Sequence, residues 1–184
     1  MDTASKLKRT HMCEEISHEH INQEVTVMGW VMRVRDLGGV IFVDLRDRTG
    51  ILQLVMYEKD AEVYKIAEKL RQEFVIAAVG TVVKRDPETV NPKIKTGELE
   101  VRVSKLVILS KAETPPFMVS DDIAVRDEVR LKYRYLDLRR PSMLNNLLVR
   151  HKVAKIARDY FDENGFIEVE TPILTKSTPE GARD

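Results

Sequence analysis

Apolar and polar residues alternate along much of the first hundred positions. From Glu24 to Asp36, Val25, Val27, Val31 and Val34 are spread through a β-prone run, with Trp30 following Gly29, and the pattern predicts one long strand. Val40 to Leu45 follows the turn Leu37-Gly38-Gly39, and Ile51 to Tyr57 follows Arg48-Thr49-Gly50. Three strands joined by short glycine-bearing turns read as an antiparallel meander. The period then changes: Ala61, Tyr64, Ile66, Ala67 and Leu70 recur at helical spacing within Asp60 to Glu73. Strand patterning returns over Phe74 to Lys84 and Glu98 to Leu109.

The predicted order is β-β-β-α-β-β. Five strands with a helix between the third and fourth is the topology of the OB-fold, a small barrel whose second and third strands and flanking loops bind oligonucleotides. The expected fold class is therefore an all-β OB-fold barrel over 1–109, followed by a hinge or linker over 110–140 and the first helix and strand of an α+β domain over 141–184. Thr114-Pro115-Pro116 and Ser120-Asp121-Asp122 favour extended, exposed backbone in the linker. After it, Leu131, Tyr135 and Leu138 fall on one helical face, and Pro141 ends that helix or opens the next. Leu144, Leu148, Ala154, Ala157 and Phe161 continue at helical spacing, Asn164-Gly165 reads as a stop, and Phe166, Ile167 and Val169 suit a strand. Pro172 then removes a backbone donor, which places it at an edge, a bulge or a contact between chains.

Composition narrows the class. With 184 residues, 43% hydrophobic and 33% charged, the chain reads as a soluble globular protein with room for one ordinary domain and the beginning of a second. No apolar run approaches the roughly 20 residues needed to cross a bilayer. Met1 to Thr10 is polar and basic without an apolar centre, unlike a secretory signal. A lone Cys13 forms no internal disulfide, and four scattered histidines give no zinc spacing, so the expected compartment is the reducing cytoplasm. His18 and His20 are expected as solvated surface. Net charge is zero, yet Asp127 to Arg158 holds nine Lys or Arg against three acids, a local balance of +6. Such a stretch suits a solvated helix face as well as a polyanion contact.

The chemistry lies on the barrel face. Alternation puts Val40, Phe42 and Asp44 on one side of the second strand and Ile41, Val43 and Leu45 on the other. Phe42 thus shares a side with a carboxylate and is expected to face outward, where an aromatic plate stacks an unpaired base. The alternative is a phenylalanine buried in the barrel. Gln53 interrupts the apolar run of the third strand at the level of Phe42, with an amide that both donates and accepts. Arg33 and Arg35 project to one side of the first strand, towards phosphates or a base carbonyl. Glu98 and Glu100 are expected to share a face of the last strand, where carboxylates accept from the donors of a guanine's pairing edge. A barrel of this shape also serves protein interaction, so fold alone assigns no role.

Several segments resemble the aspartyl-tRNA synthetase family of bacterial type, within the class II aminoacyl-tRNA synthetases. They are Gly29-Trp30-Val31, Arg33-Val34-Arg35-Asp36-Leu37-Gly38, Ile41-Phe42-Val43-Asp44-Leu45-Arg46-Asp47, Arg134-Tyr135-Leu136-Asp137-Leu138-Arg139-Arg140-Pro141 and Thr178-Pro179-Glu180-Gly181-Ala182-Arg183-Asp184. The helix, strand and Pro172 before the last segment resemble motif 1 of that class. Carried over, the resemblance implies that Phe42 stacks on the central uridine of an anticodon, that Gln53 reads that base, and that Arg35 and Glu100 contact the flanking bases. Arg33 and Glu98 are further candidates. Met32 and Val34 stand where many relatives carry a polar or basic residue, which weakens some phosphate contacts. The basic stretch gains a reading near a dimer interface and tRNA.

The resemblance also implies that Glu180 holds the α-ammonium of aspartate, within a mobile loop over Ser177 to Asp184, and that Pro172 and the preceding helix form a two-fold contact in a homodimer. The implied reaction has two steps. Aspartate attacks the α-phosphate of ATP to give aspartyl-adenylate, and the terminal ribose hydroxyl of tRNA then takes the aspartyl group. Positioning, Mg²⁺ and arginines promote such chemistry. The family's motifs 2 and 3, which supply the arginines that hold ATP, are not in this sequence. The chain is therefore expected to be the front portion of a longer enzyme, to bind no cofactor alone and to be inactive alone. The other reading is a stand-alone module that captures an anticodon or other single-stranded nucleic acid without chemistry.

Overall fold

The computed structural model describes residues 7–174, which divide into two compact units on either side of the Pro115–Pro116 bond. In the first unit, β1 (Glu24–Asp36), β2 (Val40–Arg46), β3 (Ile51–Tyr57), α1 (Ala61–Ala67), β4 (Val75–Lys84) and β5 (Leu99–Ser110) follow the predicted order. The strands close into a barrel in the order β1-β2-β3-β5-β4. The β3–β5 pairing is parallel and the others are antiparallel.

Each strand gives one face to the interior. Ile41, Val43 and Leu45 of β2 meet Leu52, Leu54 and Met56 of β3 and Val25, Val27 and Val31 of β1 in a single apolar cluster. Phe42 is outside that cluster. Gly29 marks a close approach: a β-carbon there would lie 2.4 Å from the Arg46 carbonyl oxygen, so only glycine lets β1 and β2 come together at this point. At the β1–β2 turn, Gly38 and Gly39 take φ of +71° and +80°, which L side chains rarely adopt.

A β-bulge between Val31 and Arg33 decides where the arginines point. Before it, the odd-numbered Val25, Val27 and Val31 face inward; after it, Val34 packs against the interior. Without the bulge, the strict period of two would aim Arg33 and Arg35 into the barrel. With it, Arg33 pairs across the ladder with Asp44 and Arg35 with Phe42, all on the outer face.

Helix α1 is shorter than the Asp60 to Glu73 expected from periodicity. Leu70 and Phe74 still reach the core, so the apolar spacing continues after the helix has ended. Glu73, at φ +63°, makes the chain reversal into β4: its N–H donates to the Val31 carbonyl, and its carboxylate takes both contacts from Arg46 Nη2, at 2.9 and 3.1 Å. Ahead of the barrel, the Cys13 N–H donates to Asp47 Oδ2 at 2.7 Å, and Asp47 Oδ1 accepts from both donors of Thr49. These bonds tie the leading segment to the β2–β3 turn. Cys13 is buried, and burial, followed by the neighbouring Asp47, pushes its thiol far up.

The second unit contains α2 (Asp127–Lys132), α3 (Arg134–Asp137) and α4 (Pro141–Glu163). Pro141 opens α4. The residues that helical spacing puts on one face, Leu131, Tyr135 and Leu138, are mostly exposed; Leu136 and Asp137 are buried. The helix breaks at Tyr133, where φ is −110° and ψ 46°, and the break turns the residues after it away from the continuous face that uninterrupted spacing implies. Asp137 is fully buried and holds Arg130 and Arg140, each at 3.0 Å, and Arg134 at closer range. Three of the nine basic groups in the +6 stretch are thus spent on one carboxylate rather than presented to a polyanion. The expected strand over Phe166, Ile167 and Val169 is not formed. No strand among the described residues pairs with this segment, and a lone strand leaves its ladder donors and acceptors unmet. Among the described residues, no helix is long and apolar enough to cross a membrane.

Candidate nucleic-acid interface

The register across four strands assembles a polar chain on the outside of the barrel. Asp44 on β2 stands opposite Gln53 on β3, and Gln53 stands beside Glu100 on β5. Arg35 on β1 donates from Nη2 to Asp44 Oδ1 at 2.8 Å and to Gln53 Oε1 at 3.0 Å. Gln53 donates from Nε2 to Glu100 Oε2 at 2.7 Å. The order is Asp44, Arg35, Gln53, Glu100, with alternating charge around a neutral amide. The ladder neighbour of Phe42 on β3 is Val55; Gln53 stands one outward step away, opposite Asp44, rather than level with the ring.

Phe42 is half-buried, and the Arg35 guanidinium carbon lies 5.7 Å from its ring centroid. Phe42, Arg35, Gln53 and Glu100 line one cleft of about 330 Å³, with Tyr57 and Arg85 among its other walls. Gln53 is only 3% exposed and forms part of the floor. Its present bonds use one amide hydrogen and one oxygen lone pair. One of each is left for a base edge.

Two features of the cleft favour a polar ligand. The Nε atoms of Arg35 and Arg85 are buried and have no hydrogen-bond partner. Buried donors normally find one, so a ligand acceptor at these guanidinium groups removes a standing cost. Glu100 is also strained as an anion: burial raises its carboxyl above the ordinary glutamate value, and the Gln53 bond and the charge of Arg85 only partly offset this. Burial likewise lowers Arg85, with Glu100 opposing. A ligand that offers donors to Glu100 and acceptors to the arginines relieves both. A nucleobase edge with its adjoining phosphate carries that combination.

The other candidates fall elsewhere. Arg33 is exposed and lines a different groove, with Val34, Asp36, Glu68, Arg71 and Gln72. Glu98 precedes β5, which starts at Leu99, so it does not share the strand face of Glu100. It pairs with His18 Nε2 at 2.9 Å and lines a third groove. The turn over residues 96–98 delays the strand by one residue, through the Gly97 N–H donating to the Ile94 carbonyl and the Leu99 N–H to the Thr96 carbonyl. His20, expected as solvated, is half-buried and accepts at Nδ1 from the Ser17 N–H at 3.0 Å. Pro172 is exposed and outside any strand, and Glu180 lies outside the described residues. Arg85 and Tyr57 escaped the sequence reading. Tyr57 carried a signal, since alternation along β3 puts it on the side of Gln53; Arg85 follows β4, where alternation from the buried Val82 points the same way.

Among the described residues no group of three or more His, Cys, Asp or Glu side chains is placed to hold a metal ion. In the second unit, α4 has no buried residue, and Leu147, Val153, Ile156, Tyr160 and Phe161 are all exposed on it.

Residues 25–109 match the family described as OB-fold nucleic acid binding domain, and residues 126–184 match tRNA synthetases class II (D, K and N). An aspartate–tRNA ligase of Ruminiclostridium cellulolyticum is 58% identical over 97% of this chain and 30% of its own length. An aspartate–tRNA(Asp/Asn) ligase of Thermoanaerobacter sp. strain X514 is 59% identical, over 97% of this chain and 30% of its own length. The solved asparaginyl-tRNA synthetase from Pyrococcus horikoshii complexed with asparaginyl-adenylate superposes with a TM-score of 0.78 at 27% identity, covering 95% of this chain and 39% of that one. The chain spans about 30% of the length of the curated relatives it matches.

Proposed function

We propose, for a chain that belongs to the class II tRNA synthetases (D, K and N) by its residues 126–184 and carries an OB-fold nucleic acid binding domain at residues 25–109, that it is the anticodon-reading portion of an aspartate–tRNA ligase. The observation that carries the reading is the cleft in which an outward phenylalanine stands beside the Asp44–Arg35–Gln53–Glu100 chain. Phe42 stacks the central anticodon base, and Gln53 reads that base with its remaining amide hydrogen and lone pair. Arg35 and Glu100 contact the flanking bases, with Arg85 as a further donor. Arg33, on its neighbouring groove, meets the RNA backbone. Glu98, held by His18, is the weakest of these contacts.

The whole enzyme forms aspartyl-adenylate from aspartate and ATP and transfers aspartate to tRNA in the cytoplasm. Glu180 binds the substrate ammonium, while ATP and its Mg²⁺ are held by groups that these residues do not supply. The exposed apolar residues of α4, with Pro172, support a homodimer contact.

Fluorescence anisotropy of the 184-residue chain with a labelled stem-loop bearing the aspartate anticodon tests the reading. Replacing the central uridine by cytidine lowers affinity about tenfold, since one mismatched readout costs on the order of 1–3 kcal/mol. Equal affinity for both loops contradicts it.

A further inference from the structure

The outer face of the barrel carries a second aromatic ring that the reading above leaves unused. We propose that Tyr57 is a second base-stacking plate, which takes the nucleotide adjoining the anticodon triplet while Arg102 and Lys59 hold that nucleotide's phosphate; this rests on the reading of the cleft as an anticodon site.

The register places the ring. Tyr57 stands opposite Val40 and Phe42 opposite Val55, so Tyr57 is the diagonal neighbour of Phe42 across the β2–β3 ladder. Val40 and Phe42 share the outer side of β2, and residues opposed across a ladder share a face, so both rings point out of the barrel. Both line the same cleft. Diagonal neighbours are about 7–8 Å apart. That is wider than the roughly 3.4 Å between stacked nucleotides, so the two plates suit bases splayed apart, the state in which single-stranded loops are read.

The charges repeat as well. The Arg35 guanidinium lies 5.7 Å from the Phe42 ring, and the Arg102 guanidinium lies 5.3 Å from the Tyr57 ring, with Lys59 Nζ at 5.5 Å. Each plate is thus accompanied by a guanidinium. Lys59 and Arg102 are exposed, on long side chains, so they yield the ring to a base and turn to its phosphate. Asp86 also lines the cleft, from the side of Arg85. A planar base joined to an anion matches aromatic plates flanked by cations.

Binding of the 184-residue chain to the labelled stem-loop, with Tyr57→Leu, Tyr57→Phe and Phe42→Leu compared, tests the inference. Each loop is prepared intact and with an abasic site just before or just after the triplet. Tyr57→Leu keeps an apolar side chain at the strand end and is expected to bind the intact loop about tenfold more weakly, with Tyr57→Phe close to wild type. The loss disappears when one of the two flanking bases is absent. No loss in Tyr57→Leu, or a loss that persists with both abasic loops, overturns the second plate. If Phe42→Leu also leaves affinity unchanged, the anticodon reading itself has failed; if Phe42→Leu weakens binding and Tyr57→Leu does not, only the extension has.

Discussion

Arg35 Nη2 donates to Gln53 Oε1 at 3.0 Å, and this bond fixes which way the Gln53 amide faces. With its oxygen held by Arg35 and its nitrogen donating to Glu100, the amide cannot flip without losing both bonds. A preset amide offers a base one defined donor and acceptor pair, so discrimination does not wait on a rotamer search. Arg35→Met, which keeps length and removes the donors, is expected to weaken stem-loop binding about tenfold and to narrow the preference for uridine over cytidine at the central position. Anisotropy titrations of both loops check this; an unchanged preference shows that Arg35 does not orient Gln53.

Glu100 gives the interface a pH dependence. In the free protein burial holds its carboxyl above the ordinary value of 4.5, with Gln53 and Arg85 opposing. Base donors stabilise the anion, so the bound state has the lower pKa and binding releases a proton wherever the free carboxyl is protonated. Affinity is therefore full above the raised pKa of the free protein and falls as pH drops through it. Titrations at falling pH with wild type and Glu100→Gln measure this, and the variant loses that segment of the pH profile. The same slope in both proteins assigns the dependence to another group.

Asp137 sets the acid limit of the second unit. Its hydrogen bond from Arg130, first among several causes, holds its carboxyl below the ordinary value despite the opposing effect of burial. A depressed folded pKa contributes stability that is fully present above the unfolded value and is lost as pH falls through the folded one. Asp137→Asn is expected to lower the thermal midpoint followed by far-UV circular dichroism at neutral pH, and to flatten its decline at acid pH. Coincident profiles for wild type and variant contradict the role given to this carboxylate.

Much of the barrel was legible because a period of two is set by backbone geometry alone. The side of Phe42 followed from its alternation with Ile41, Val43 and Leu45, which all reached the core. The outward turn of Arg33 and Arg35 was expected for a simpler reason than the true one, since it depends on the bulge before Arg33, and a bulge is a tertiary accommodation. Glu98 and Glu100 are two apart in sequence, yet a turn ends between them, and spacing carries no record of where a ladder begins. The continuing apolar period through Leu70 and Phe74 hid the end of α1. Side-chain partnerships such as Arg35 with Gln53, or Asp137 with three arginines, bring together atoms that no local pattern joins.

The outward ring of Phe42 is tested most directly by a double-mutant cycle on the 184-residue chain, with Phe42 or Phe42→Leu against a stem-loop whose central anticodon nucleotide is intact or abasic. Phe42→Leu is expected to cost the intact loop on the order of 1–3 kcal/mol, the range for a lost base stack, and to cost the abasic loop almost nothing. An equal loss on both loops, or none on either, contradicts a stack between Phe42 and that base.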